Sequence, residues 1–376
     1  MAAAGPRLLR RAAVGEQTTL ADRKRRAGQR MVVGFHGIDA PPELRRFCRQ
    51  ARPGGFILFA RNVEEPAQVR ELNRELTGLL PRSLPPLVSV DQEGGRVQRI
   101  RSTAWPRARW VGNVDDLVQT RALALAMAAE LRAMGFNVDW APVADVDSNP
   151  ANPVIGDRSF SPRPEAVARH ALAFLQGLEA GGVAGCVKHF PGHGDTSQDS
   201  HLVLPVVEKE RPELERTELL PFREAIAAGA PMVMTAHVLF PEWDPQNPAT
   251  MSQAIVAGLL REKLGFQGVV VSDDLEMKAV RGRFELDHQL DRACRATVDL
   301  FLCCSEIELQ WEVFETLVRL QEDDKRHDTL AIDSSGRLDA LRRRFLLHPL
   351  PTPELSVVGS IAHRDLALGI EARGRT

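Results

Sequence analysis

The chain has 376 residues, 44% hydrophobic and 26% charged, with a formal net charge of -2 at pH 7. That length suits two average domains or one large α/β barrel with extensions, and that composition can bury a sizeable core. The near-neutral balance argues against nucleic acid or an acidic membrane as partner.

The N-terminal head carries Arg7, Arg10 and Arg11 but no apolar run of secretory length. The basic run from Arg23 to Arg26 reads as the solvated start of the first element. Beyond it, short apolar runs alternate with longer amphipathic ones. Strands are expected over 30–35 and 55–59, then a helix over 64–80, a strand over 87–90, a helix over 115–134 and a strand over 136–140. A helix over 164–179, a strand over 183–187, a helix over 217–228 and a strand over 231–235 come next. A helix over 252–264, a strand over 268–272, a strand over 299–303 and a helix over 306–320 complete the series.

The strand candidates are short, β-branched or aromatic, and bounded by Gly or Pro. Their near-continuous apolar character fits strands covered on both faces. Several helices carry end signals: Asp115 and Asp116 before one, Gly135 after it, Ser252 as an N-cap and Gly265 as a stop. Eight strands alternating with helices predict a single TIM-type (β/α)8 barrel over 29–350. Short extensions flank it at 1–28 and 351–376, the second beginning among Pro349, Pro351 and Pro353. No stretch approaches bilayer-spanning length. Cys48, Cys186, Cys294, Cys303 and Cys304 show no CxxC spacing and read as reduced core thiols, so the expectation is a cytoplasmic protein, with a monomer as the default.

In such a barrel the chemistry sits at the carboxyl ends of the strands, and there the polar residues collect. The third strand runs into Asp91–Arg99, and the fourth leads to Asp145, Asp147 and Arg158. The fifth enters a stretch from Lys188 to His201, the sixth reaches His237, and the seventh ends in Asp273 and Asp274. Two chemistries fit the Lys188–His201 stretch. His189, His193, Asp195, Asp199 and His201 could hold a divalent metal for hydrolysis, although the spacing matches no short metal motif and Lys188 would repel a cation. Alternatively, Asp199 and His201 stand two apart and share a face in an extended segment. A carboxylate beside an imidazole keeps the ring protonated near neutral pH, as general acid catalysis requires. Asp273 follows directly on an apolar run and would project toward the barrel mouth, where a carboxylate can attack an anomeric carbon. Such a retaining reaction places nucleophile and acid about 5–5.5 Å apart. Asp274 reads as an Asx turn or helix N-cap.

At these residues the chain resembles family 3 of the glycoside hydrolases, specifically the β-N-acetylhexosaminidases of bacterial cell-wall recycling. The resemblance spans roughly Gln29 to Val280 and rests on Asp91–Arg99, Lys188–His201 and Ser272–Met277. It implies an enzyme with no cofactor and no metal: a retaining exo-β-N-acetylglucosaminidase releasing terminal N-acetylglucosamine from a small saccharide or muropeptide. By position it implies Asp273 as nucleophile, His201 as acid/base and Asp199 as the carboxylate that orients it. Asp91, Arg99, Arg158, Lys188 and His189 fall at sugar-binding positions. Two-domain β-glucosidases of the same family take their acid/base from a second domain, for which the stretch after 350 is too short; this favours His201. A histidine also repels an incoming phosphate less than a carboxylate would, which leaves transfer of the sugar to phosphate open. With no tyrosine in the chain, sugar stacking falls to Phe or Trp, such as Trp140 or Phe160.

Overall fold

A computed structural model describes residues 18–197 and 204–375; Asp199 and His201 lie outside the described residues. All eight expected strands are present: β1 (Met31–Val33), β2 (Gly55–Leu58), β3 (Leu87–Val90), β4 (Val138–Asp139), β5 (Ala184–Phe190), β6 (Met232–Thr235), β7 (Val269–Asp274) and β8 (Leu300–Cys303). Each pairs in parallel with its neighbours in sequence, and β8 closes on β1 with Met31 opposite Phe301.

The double-sided burial behind the continuous apolar runs is explicit. Val32, Ile57, Val138, Cys186, Met234 and Val271 fill the barrel interior. Their neighbours Val33, Phe56, Val187, Val233, Val270 and Phe301 face the surrounding helices. Successive strand side chains point to opposite faces, so both faces need apolar residues.

The six expected helices occur as Pro66–Gly78, Leu117–Ala133, Pro164–Ala180, Leu219–Ala227, Ala254–Lys263 and Ile307–Asp323. Asp116 caps the second, its Oδ1 accepting from the Val118 and Gln119 N–H groups at 2.9 and 3.1 Å. The helix over Ala254–Lys263 is wound as a π-helix, and the Ser252 hydroxyl accepts from Ile255 N–H at 3.2 Å at its start. Further helices lie outside the expectation, among them Leu20–Gln29, Pro42–Ala51, Leu286–Arg295, Lys325–Phe345 and Ile361–Gly374.

Two of these correct or extend the sequence reading. In Leu20–Gln29 the basic run is only partly solvated: Arg26 is 6% exposed, donates to Gln321 Oε1 at 3.1 Å and pairs with Asp328. The C-terminal stretch folds back as Ile361–Gly374, tied by Asn113 Nδ2 to Gly374 O at 2.8 Å and by His363 Nδ1 to Glu130 Oε1 at 2.8 Å. Among the described residues no helix is long and apolar enough to cross a membrane, and all five cysteines are buried free thiols.

Helix Lys325–Phe345 crosses the amino ends of the strands and plugs the barrel with Leu338, Leu341 and Phe345. It is fastened there through Asp299, whose side chain is fully buried. That carboxylate accepts from Arg261 Nη2 at 2.6 Å, Arg337 Nε at 2.9 Å, Ser334 Oγ at 2.8 Å and Val270 N–H at 2.9 Å. Removing one partner of such a pair strands the other charges in a dry interior. Asp299→Ala is therefore expected to lower stability by about 3–5 kcal/mol in chemical denaturation; a loss of about 1 kcal/mol or less, the value of an exposed pair, would contradict this reading.

Candidate active site

At the carboxyl ends of the strands the barrel opens into a cavity of about 380 Å³. Ile57, Met234, Leu302 and Cys304 are among the residues that give it apolar surface, and charged side chains from the segment after β3, from Arg158 and from β5 and β7 line it as well.

Beyond β3 the chain turns into a two-stranded hairpin, Gln92–Gly94 with Val97–Gln98. Gln92 holds it shut: its Oε1 accepts from the Arg99 and Ile100 N–H groups at 3.0 and 3.1 Å. Gly94 sits at φ +95° with Pro106 O against it, where a Cβ would stand 2.4 Å away, so only glycine fits. Asp91 and Glu93, two apart in an extended segment, both line the cavity. On β5 the consecutive residues Lys188 and His189 both line it too, where the pairing with β6 shifts register between Val187 and Phe190.

These side chains form a lattice of alternating charge. Lys188 Nζ lies 2.9 Å from Asp91 Oδ1 and 2.7 Å from Glu93 Oε1. Arg158 donates to both oxygens of Glu93, from Nε and Nη2, at 2.8 Å each. Arg99 Nη2 donates to Asp91 Oδ2 at 3.2 Å. Burial pushes the Asp91 and Glu93 carboxyls up, but the cations outweigh it: Lys188 and Arg99 bring Asp91 below its ordinary value, and Arg158 and Lys188 do so for Glu93. Burial would likewise lower Lys188, and the two carboxylates raise it instead. Every member stays ionised, held so by the others.

A second cluster stands beside it. Asp145 is fully buried; its Oδ2 lies 2.6 Å from His189 Nδ1, and its Oδ1 accepts from His193 N–H at 2.7 Å. The other ring nitrogen, His189 Nε2, lies 3.4 Å from Arg158 Nη2. A guanidinium only donates, so these partners assign the His189 proton to Nδ1. Burial raises the Asp145 carboxyl, and His189 brings it back below its usual value.

Asp273, near the end of β7, lines the same cavity. Burial opposes its ionisation, but His189, His237 and the Asp274 N–H, which donates to Oδ1 at 2.8 Å, bring its pKa below the ordinary value. His237 is itself held by Thr250 Oγ1 at 2.9 Å. The result is an ionised carboxylate in an enclosed site. Asp274 forms the expected Asx turn, its Oδ1 accepting from Glu276 N–H at 3.1 Å; burial and the neighbouring Glu276 push its carboxyl up to about 7.

Thus Asp91, Arg99, Arg158, Lys188, His189 and Asp273 converge on one cavity. Asp199 and His201 lie outside the described residues. Glu93 and Asp145 escaped the sequence reading as functional groups, although both stand in the segments that carry it. The expected stacking aromatics are corrected: Trp140 is fully buried inside the barrel, and Phe160 packs on His170 and Phe174. Among the described residues Phe59 lines the cavity, with Arg61 and Arg99 stacked on its ring at 4.5 and 5.3 Å. As to the metal alternative, among the described residues no group of three or more His, Cys, Asp or Glu side chains is arranged to hold an ion.

The site also sets an acid limit on stability. His193 is 2% exposed; burial, with a smaller contribution from the neighbouring His189, lowers its pKa from 6.5 to about 4. The unfolded chain takes up this proton below about 6.5 and the folded one only below about 4, so stability falls as pH drops through that window. The loss is on the order of 3 kcal/mol. Denaturation midpoints are expected to decline across it in the parent and to decline less in His193→Gln; identical slopes would contradict the assignment.

The residues matched by a family model span 28–330, and its description is "Glycosyl hydrolase family 3 N terminal domain". A beta-hexosaminidase of Nitrosomonas eutropha is 40% identical over 305 residues, covering 79% of this chain and 84% of that protein. A glycoside hydrolase family 3 beta-N-acetylglucosaminidase from Paenibacillus sp. str. FPU-7 superposes with a TM-score of 0.85 at 39% identity, over 93% of this chain and 68% of that one. NagZ from Neisseria gonorrhoeae, solved with N-trifluoroacetyl-D-glucosamine, superposes with a TM-score of 0.74 at 30% identity, over 92% and 98% of the two chains. A closed parallel barrel, an ionised carboxylate at its mouth and similarity along most of the chain lead to one conclusion: this protein belongs to glycosyl hydrolase family 3 and is a glycoside hydrolase.

Proposed function

We propose that the enzyme is a retaining exo-β-N-acetylglucosaminidase that releases terminal β-linked N-acetylglucosamine from cell-wall-derived saccharides or muropeptides. The observation that carries this reading is the ionised Asp273 carboxylate facing the same cavity as the Asp91–Glu93–Lys188–Arg158 lattice. A cavity of about 380 Å³ suits one sugar ring at a chain end rather than a run of them. The relatives' names, and the N-trifluoroacetyl-D-glucosamine bound by one of them, support the acetamido sugar. Five buried free thiols suit a reducing cytoplasm.

The chemistry follows from the placement. Asp91 accepts from sugar hydroxyls while Lys188 and Arg158 donate to them, which fixes the ring with its anomeric carbon before Asp273. Asp273 attacks that carbon as the bond to the aglycone oxygen breaks, and His201, oriented by Asp199, protonates the departing oxygen. A water molecule then gives its proton to His201 and attacks the glycosyl ester, restoring the Asp273 carboxylate with the anomeric configuration retained. The charge lattice needs no rearrangement between the two steps, so its orientation is preorganised.

The test is hydrolysis of an aryl β-N-acetylglucosaminide beside the matching β-glucoside, with and without chelator. Preference for the acetamido sugar, unaffected by chelator, is expected; chelator-sensitive turnover would restore the metal reading. Asp273→Ala is expected to lose about three orders of magnitude or more in kcat while still binding N-acetylglucosamine, and appreciable residual turnover would overturn the nucleophile assignment.

A further inference from the structure

The hairpin that carries Glu93 and leads into Arg99 has strands of only three and two residues, Gln92–Gly94 and Val97–Gln98. A two-stranded ribbon that short does not hold its own shape. Segment 103–107 backs it. Gly95 N–H donates to Trp105 O at 2.9 Å, and Trp105 N–H donates to Thr103 O at 3.1 Å and to Gln98 Oε1 at 3.2 Å. Gln98 Nε2 in turn reaches Thr103 O at 3.4 Å. The same segment extends to the loop of Arg158: Arg107 Nη1 donates to Asp157 Oδ2 at 2.8 Å, while Arg96 Nε donates to Asp157 Oδ1 at 3.1 Å.

What fixes segment 103–107 is one buried oxygen. Glu130, on helix Leu117–Ala133, is 2% exposed. Its Oε1 accepts from Thr103 Oγ1 at 2.6 Å, from Gly359 N–H at 3.0 Å and from His363 Nδ1 at 2.8 Å. A carboxylate only accepts, so His363 Nδ1 is the donor. Thr103 belongs to the backing segment, whereas Gly359 and His363 come from the C-terminal stretch, beyond the residues 28–330 that the family model matches. The His363 ring also lies on Trp105, with centroids 5.8 Å apart. Helix Ile361–Gly374 is set at its start by Ser360, whose hydroxyl accepts from His363 N–H at 3.4 Å. An apolar residue at position 130 would fill the same space. A buried oxygen shared by three donors does more, because it fixes the distance and direction of two segments that share no strand.

We propose that His363 is a positioning residue for sugar binding: through Glu130 it braces segment 103–107, and with it the hairpin that presents Asp91, Glu93 and Arg99 to the cavity. The inference rests on the assignment of that lattice to the sugar. It separates two parts of the machinery. Asp273 stands on β7 and is held by the Asp274 N–H and by His237, itself tied to Thr250, contacts that the brace does not touch. Loss of the brace therefore loosens the grip on the sugar ring and spares the nucleophile.

The experiment compares His363→Ala, His363→Asn, Thr103→Val and Asp91→Asn in the full chain. Each is assayed for kcat on an activated aryl β-N-acetylglucosaminide and for inhibition by N-acetylglucosamine. For His363→Ala the inhibition constant is expected to rise about five-fold, the worth of one hydrogen bond, with kcat within about two-fold of the parent. Thr103→Val keeps the shape and removes the hydroxyl, so it should reproduce the effect from the hairpin's side of Glu130. In His363→Asn the side-chain amide stands where Nδ1 stood, and it should restore most of the binding. Asp91→Asn alters the lattice itself and should raise the inhibition constant at least as far. An unchanged inhibition constant in His363→Ala and Thr103→Val, beside a raised one in Asp91→Asn, overturns the brace alone. A fall in kcat with inhibition unaltered in the two brace variants does the same. No change in Asp91→Asn overturns the assignment of the lattice to the sugar.

Discussion

Lys188 is an ammonium whose side chain is 3% exposed, and it stays charged because Asp91 and Glu93 lie 2.9 and 2.7 Å from it. Neither carboxylate could remain ionised there without it and the two arginines, Arg99 and Arg158. This mutual dependence governs the rest of the site. Burying one such group alone would cost several kcal/mol, whereas a closed lattice of alternating charge is self-supporting when its hydrogen bonds are made. Its geometry is thereby fixed before any sugar arrives.

The barrel supplies the means. Parallel strands deliver side chains to one rim, and irregularities at their ends aim them. The hairpin after β3 presents Asp91 and Glu93 from the same side, and the register shift in β5 brings both Lys188 and His189 to the cavity. Asp145, held between His189 and His193, fixes the ring whose far nitrogen meets Arg158. Asp273, the proposed nucleophile, stands on β7, one strand beyond β6, where His189 and His237 bring its carboxyl below its ordinary value despite burial. At the opposite rim, Asp299 fastens the plug helix by the same logic of a buried carboxylate saturated with donors.

Much of this was legible in the residues. Eight short, near-continuous apolar runs fit strands covered on both faces, and chemistry at their carboxyl ends follows from the barrel. What stayed hidden has particular physical reasons. Helix Lys325–Phe345 buries His327, Ala331, Ser334, Leu338, Leu341, Arg342 and Phe345, a correctly spaced stripe that is nearly half polar and so invisible to a search for apolar periodicity. Arg26 reads as a surface charge until Gln321 and Asp328, almost three hundred residues on, are seen beside it. Trp140 is polar-tipped and near a strand end, yet the inward alternation that begins at Val138 takes it into the dry interior. Glu93 and Asp145 were plain in sequence, but their partners at Arg158, Lys188 and His193 are set by tertiary packing, not by spacing.

The most direct test of the central claim is to find the sugar on the protein. His201→Ala, lacking the base for the second step, should accumulate the glycosyl ester when given an activated aryl β-N-acetylglucosaminide; quenching in acid, digestion and mass spectrometry would then locate it. An N-acetylhexosaminyl adduct on the peptide containing Asp273, absent from Asp273→Ala, is the predicted result. An adduct on another residue, or none while the activated substrate is still turned over, would contradict the assignment of Asp273 as the nucleophile.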